Sequence, residues 1–157
     1  MAQEIERKFL VSSDAWRAEV SRVEKYRQGY LSDNAECSIR VRISDEHAWL
    51  NLKSATLGIQ RTEYEYPVPL KDAEEMLASF CRHAVIIKSR YFVKFKDYVW
   101  EIDVFEGDNT GLVVAEIELN DENEKFARPP WLGKEVSDDP RYYNVCLVEH
   151  PYSQWQD

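Results

Sequence analysis

The sequence predicts a mostly antiparallel α+β or barrel fold, and three observations predict it. About eight segments alternate apolar and polar residues with the period-two pattern of half-buried strands. Only three or four short segments have helical spacing. The strand-like segments follow one another across tight turns, without the β-α-β rhythm that builds a parallel sheet.

In chain order, Gln3 to Val11 reads as a strand. "SSDAWRAEVSRVE" follows as a short helix, with Ser12 or Ser13 placed to cap it. "KYRQGYLS" reads as a strand interrupted at Gly29. "ECSIRVRIS" and "HAWLNLKS" alternate clearly, and the break at Asp45-Glu46 between them predicts a hairpin. "IQRTEYEYPVPL" is a strand closed off by Pro67 and Pro69. "KDAEEMLASFCRH" carries Met76, Leu77 and Phe80 at helical spacing and predicts an amphipathic helix. "AVIIKSRYFVKF", "YVWEIDVFEG" and "GLVVAEIEL" are strands, with turns at Lys96-Asp97 and Asp108-Asn109. The tail reads as a polar helix near Asp121 to Phe126, a "PPWLGKEV" segment and a last short helix around Tyr142 to Leu147. There is no internal repeat.

At 157 residues, 44% of them hydrophobic, the chain has the size and core-forming capacity of one domain spanning 1–157. Asp and Glu outnumber Lys and Arg by 29 to 20, a net charge of −9. That balance opposes non-specific nucleic-acid binding, which needs a basic face, and equally opposes an anionic membrane surface. No apolar run approaches the roughly 20 residues that span a bilayer, and the N-terminus lacks a signal-peptide layout. Cys37, Cys81 and Cys146 are odd in number and form no C-x-x-C pair, as expected of reduced thiols in a cytoplasmic protein.

The basic residues are not scattered. Strand parity places Glu4, Glu6 and Lys8 on one face, the two carboxylates roughly 7 Å apart. Arg40 and Arg42 oppose Ile39, Val41 and Ile43. Asn51 and Lys53 oppose Leu50 and Leu52. Arg61, Glu63 and Glu65 oppose Thr62, Tyr64 and Tyr66. Lys88 and Arg90, Glu101 and Asp103, and Glu116 and Glu118 likewise lie opposite apolar faces. Any one such doublet is explained by a strand with its polar side in water. As a set they are not, because solvated faces mix signs, whereas these doublets place like charges close together, where they repel unless an opposite charge sits between them.

If the sheet closes, these faces converge on one lumen. Clustered carboxylates without Cys or His partners suit a hard divalent cation such as Mg²⁺ or Mn²⁺. Clustered Arg and Lys suit phosphate. A polyphosphate carrying its own metal satisfies both. Other chemistries lack their signatures: His47, His83 and His150 have no ligand spacing, and no P-loop, G-x-G-x-x-G or G-x-S-x-G is present. With five glycines in all, phosphate must be held by side chains. Trp49, Tyr64, Tyr66, Trp100 and Trp131 read as core or outer-wall packing.

"EIERKFL" also resembles the E-x-E-x-K signature of the CYTH superfamily, the triphosphate tunnel metalloenzymes. The similarity runs on through "YRQGYL", "IRVR", "LNLKS", "RTEYEY", "KSRY", "EIDVFEG", "AEIEL" and the "PPWLGKEV…RYYN" tail. E-x-E-x-K alone is a weak signal; in this order it is specific. The short length and "RQGYL" look most like the small bacterial members that hydrolyse inorganic triphosphate.

The resemblance implies a closed eight-stranded antiparallel barrel with the active site inside, a point that parity alone leaves open between barrel and sandwich. It implies that Glu4, Glu6 and Glu118 hold a first metal, with Glu63 and Glu116 serving a second metal or the attacking water. Lys8, Arg40, Arg42, Lys53, Arg61, Lys88 and Arg90 would bind the phosphate chain. Glu65, Glu101 and Asp103 would orient the basic residues. Tyr30 falls where the family has a tyrosine near the E-x-E-x-K lysine, making Lys8, Tyr30 and Glu116 the catalytic candidates, with Lys8 either a phosphate ligand or a general base. Where relatives often carry a lysine that closes over the substrate, this chain has Tyr143. The expected activity is metal-dependent hydrolysis of tripolyphosphate to pyrophosphate and phosphate, with two Mg²⁺ or Mn²⁺ per site, no nucleic-acid or membrane partner, and a homodimer as an open possibility. The alternatives are a nucleotide enzyme of the same superfamily (class IV adenylate cyclase, thiamine triphosphatase or RNA triphosphatase) and a non-catalytic polyphosphate-binding module.

Overall fold

The structure, a computed structural model, describes residues 3–33, 36–54, 59–81 and 83–155. Nine antiparallel strands form one sheet: β1 (Gln3–Val11), β2 (Val20–Asp33), β3 (Cys37–Ser44), β4 (His47–Ser54), β5 (Gln60–Val68), β6 (Ile86–Phe95), β7 (Tyr98–Phe105), β8 (Val113–Leu119) and β9 (Leu132–Glu135). Eight of them close on themselves in the order β5-β4-β3-β2-β6-β7-β8-β1, with β1 meeting β5 to complete the ring. One edge of β1 runs along β8, placing Glu6 opposite Glu118 and Lys8 opposite Glu116. Its other edge is divided: Glu4 pairs with Arg61 of β5, and Phe9 with Glu135 of β9. The tail segment "PPWLGKEV" thus supplies a ninth strand outside the ring.

Alternation then separates two environments. The apolar residues face outward and are buried beneath covering segments. Phe9, Val93, Trp100, Ile102, Ala115 and Ile117 pack with Trp16 and Trp131 on one side. On the other, Val41, Ile43 and Ala48 lie under α1 (Leu70–Ser79) through Ala73, Met76 and Leu77. The inward faces carry the charge, except at one end, where Ile86, Phe105 and Val114 meet Leu147 of the short α2 (Asn144–Leu147). That apolar plug closes this end of the lumen. Among the described residues, no helix is long and apolar enough to cross a membrane.

The hairpin tips form as expected. Asp45 and Lys96 occupy the left-handed region, at φ 54° and 56°, which two-residue hairpin connections require and which Asp tolerates through its short polar side chain. Several local expectations are corrected. The helix after Ser13 is one 3₁₀ stretch, Ala15–Glu19, and the "SRVE" that follows belongs to β2, because Val23 and Tyr91 pair across the β2–β6 ladder. Gly29 does not interrupt β2. It admits a close approach instead: a Cβ there would stand 2.4 Å from the Cys81 sulfur. The register shift falls later, between Tyr30 and Ser32. Pro67 does not close β5, whose pairing with β4 continues to Val68. The second edge of β5 is used only at Gln60–Thr62, so the missing N–H breaks no ladder there. α1 ends at Ser79, short of the His83 expected; Arg82 lies outside the described residues. Asp121 to Phe126 is a turn and extended chain, not a helix. There Glu124 accepts a hydrogen bond from the Asn120 backbone and lies against the Tyr98 hydroxyl.

Candidate active site

The inward faces enclose a cavity of about 300 Å³. Every site residue expected from the sequence lines it: Glu4, Glu6 and Lys8 from β1, Tyr30 from β2, Arg40 and Arg42 from β3, Lys53 from β4, Arg61 and Glu63 from β5, Lys88 and Arg90 from β6, and Glu116 and Glu118 from β8. Glu65 and Glu101 line it too, while Asp103 is wholly buried behind the wall.

Four of the seven cations are already paired. The Lys8 ammonium lies 2.7 Å from Glu116 and 3.2 Å from Glu6. Lys53 lies 2.9 Å from Glu63 and 3.7 Å from Glu4. Asp103 accepts from Lys88 at 2.7 Å and receives a bidentate fork from Arg90 at 2.7 and 2.9 Å; Glu101 takes a further Arg90 nitrogen at 2.6 Å. Burial alone would discharge such groups. Burial does lower Lys88, to about 7, against the pull of Asp103. Glu116 goes the other way: burial would raise it, but Lys8, Arg90 and Lys88 hold it well below the usual carboxylate range.

The other three cations, Arg40, Arg42 and Arg61, form no ion pair among the described residues. The Arg40 and Arg61 Nε atoms are buried with no hydrogen-bond partner there. Arg42 is fixed by neutral groups, its Nε donating to Gln28 and its guanidinium lying 4.3 Å from the Tyr26 ring centroid. Burial and the neighbouring Arg40 and Arg90 push Arg42 down to about 10. Three lumen guanidinium groups that form no ion pair among the described residues leave their charge available to an anion that is not part of the chain.

The lumen carboxylates show the converse. Burial, opposed by Lys53 and reinforced by Glu6 and Glu63, raises Glu4 to about 9. Burial, with Glu6 and Glu63 beside it, raises Glu118 as well. Among the described residues no three carboxylates, histidines or cysteines are drawn together as a ready metal cage. The donor set nevertheless fits a hard divalent ion: oxygen donors only, like-charged and partly buried, with a deficit of positive charge that a cation would relieve.

Glu4 also has a consequence for stability. Its folded value lies above the ordinary 4.5, so the folded state binds the proton more tightly. Its contribution is fully present below about 4.5 and is lost as pH rises towards about 9. In chelator-treated protein, Glu4→Gln is expected to flatten the decline in Tm across this window and to raise Tm at its alkaline end. Parallel Tm–pH curves for variant and wild type would contradict this.

The surroundings of Lys8 bear on the two roles expected for it. Burial would lower its pKa, but Glu116 and Glu6 overcome that and raise it above the ordinary lysine value. That direction favours a phosphate-ligand role for Lys8 over a base. Lys8→Arg is therefore expected to keep the shape of the wild-type kcat–pH profile, since arginine cannot serve as a base. Loss of the alkaline limb with substrate binding unchanged would return Lys8 to the base role. Tyr30 is buried on the cavity wall, its residue facing Arg40 across the ladder.

Charge patterning missed the neutral members of the site. Ser38, Asn144 and Val145 line the cavity, and so does Tyr143. Tyr143 does not reach the lumen with its hydroxyl, which donates to the Ser137 carbonyl at 2.7 Å; its ring instead faces Arg61, 5.5 Å from the guanidinium carbon. Only the shared parity of Gln28 with Tyr30, and the "RYYN" tail, could have pointed to Gln28 and Asn144.

Fold and site together define a closed antiparallel barrel with an inverted interior, charged within and apolar without. The CYTH domain pattern matches residues 2–143, and the chain belongs to the CYTH family. It is 46% identical, over all 157 residues and the full length of both chains, to a protein named inorganic triphosphatase from Acetivibrio thermocellus. It is 36% identical to a protein of the same name from Nitrosomonas europaea, covering 92% of this chain and 96% of that one. A crystal structure of an inorganic triphosphatase superposes with a TM-score of 0.65 at 34% identity, covering 92% and 97% of the two chains.

Proposed function

We propose that this chain, acting as a single tunnel unit over 1–157, hydrolyses inorganic triphosphate to pyrophosphate and phosphate inside the barrel. The observation that carries the reading is the set of three guanidinium groups, Arg40, Arg42 and Arg61, with no ion pair among the described residues in a lumen otherwise crowded with ion pairs. The names of the relatives support the same substrate.

Glu4, Glu6 and Glu118 would hold a divalent ion, Mg²⁺ or Mn²⁺, with Glu63 and Glu116 beside a second. Such ions supply Lewis acidity and neutralise phosphate charge. The chain's own residues do the rest. Arg40, Arg42 and Arg61 bind the phosphate chain in line with the carboxylate end. Arg90 and Lys88, held rigid by Asp103, frame the lumen beside them, and the three guanidinium groups supply the positive potential that stabilises charge on the transferring and leaving groups. Lys8 donates from a fixed position between Glu6 and Glu116, with Tyr30 on β2 across the ring from it. The apolar plug at Phe105, Val114 and Leu147 excludes water from the closed end.

Phosphate release tests the reading. The purified protein with Mg²⁺ or Mn²⁺ should release one phosphate per tripolyphosphate and leave pyrophosphate. Tight binding without release would make it a polyphosphate-binding module, and cyclic AMP formed from ATP would make it a nucleotide enzyme.

A further inference from the structure

Gln28 is wholly buried on β2, and it lies behind the cavity wall rather than on it. Both ends of its amide are used. Oε1 accepts from Arg42 Nε at 2.9 Å, and Nε2 donates to Asn144 Oδ1 at 2.9 Å. The same Asn144 oxygen accepts from Lys88 Nζ, again at 2.9 Å. Asn144 is the first residue of α2, so this relay joins two lumen cations to the C-terminal segment that closes the barrel. A buried amide is costly unless satisfied, and here both ends are satisfied by groups of the site.

The contrast with Arg90 shows what a neutral amide achieves. Arg90 is oriented by Asp103 and Glu101, which fix its direction and neutralise its charge. Arg42 is oriented by an amide oxygen and a tyrosine ring, and its charge stays available to an anion. A glutamate at position 28 would make the stronger, charge-assisted bond. It would also convert Arg42 into another closed ion pair.

We propose that Gln28 is a positioning residue for polyphosphate binding: it aims Arg42 into the lumen without neutralising it and, through Asn144, holds Lys88 and the start of α2 in the same frame. This rests on the polyphosphate reading of the site. Two variants separate orientation from charge. Gln28→Met fills the volume and makes neither bond; Gln28→Glu keeps the acceptor on Arg42 and adds a negative charge.

The readouts are the calorimetric Kd of inorganic pyrophosphate, KM and kcat on tripolyphosphate, and Tm. Both variants should weaken pyrophosphate binding at least tenfold and raise KM in parallel. Gln28→Glu should be the weaker binder although it has the higher Tm. Values of Kd within twofold of wild type in both variants would overturn the proposal. So would wild-type affinity in Gln28→Glu beside weak binding in Gln28→Met, because any hydrogen-bonding residue would then suffice. If Gln28→Met fails to fold, Gln28→Glu decides alone by the same Kd criterion. A wild-type protein that binds pyrophosphate but hydrolyses no tripolyphosphate would overturn the catalytic reading only, leaving this one to be decided by Kd. A wild-type protein that binds no pyrophosphate would overturn this one.

Discussion

Glu118→Gln and Glu4→Gln are each expected to lower kcat on tripolyphosphate about a thousandfold, on the order of 4 kcal/mol in the barrier. Each substitution keeps the side-chain volume and removes one ligand charge from a lumen whose carboxylates already repel one another. Glu118 is exposed at the cavity and Glu4 is raised to about 9 by burial among carboxylates, so neither loss should unfold the barrel. The expected signature is a large fall in turnover with Tm unchanged or higher. Steady-state kinetics and thermal unfolding of the same preparations check it. Wild-type turnover in excess chelator would remove the metal from the account.

The second large effect is selectivity. Tripolyphosphate is expected to reach both the lumen carboxylates and the three guanidinium groups that form no ion pair among the described residues. ATP presents the same triphosphate but must also place a ribose and a base. The aromatic residues on the cavity wall are Tyr30 and Tyr143. Tyr143 has its hydroxyl on Ser137 and its ring against Arg61; Tyr64 and Tyr66 are half exposed and have outward parity on β5. Tyr30 is buried on that wall, and among the described residues no other aromatic there is offered to a base, so ATP is expected to lose orientation at the reacting phosphate. A few kcal/mol there amounts to about a hundredfold or more in rate. We expect kcat/KM for tripolyphosphate to exceed that for ATP by at least this factor, with pyrophosphate a poor substrate or an inhibitor. Equal efficiency on ATP in a competition assay would contradict the assignment.

The strands and most of the residues lining the candidate site were legible in the sequence because charge and parity are local properties. Glu4, Glu6 and Lys8 share a face in any strand, and so do Arg40 and Arg42. The repetition of like-charged doublets already requires an opposite charge between them. Closure was not legible in this way: the pairing of Glu4 with Arg61 joins strands far apart in sequence, and only the family resemblance implied it. The neutral residues were equally hidden. Gln28 and Asn144 carry no charge pattern, and their role arises where β2, β3, β6 and α2 meet. The misplaced helices have the same origin. "SRVE" has helical as well as strand character, and its partner β6 decides between them. In the polar run from Asp121 to Phe126, Phe126 instead packs against Phe9 and Trp100, drawing the chain out along the barrel wall.

The central claim is that the substrate lies inside the barrel, in contact with the carboxylates and with the three guanidinium groups that form no ion pair among the described residues. A crystal structure of Glu118→Gln with tripolyphosphate and Mn²⁺ tests it most directly, because slow turnover preserves the chain. The account predicts phosphate density in the lumen in contact with Arg40, Arg42 and Arg61, with anomalous Mn²⁺ signal beside Glu4 and Glu6. Phosphate density on the outer wall, or a filled lumen with no contact to those three arginines, would contradict it.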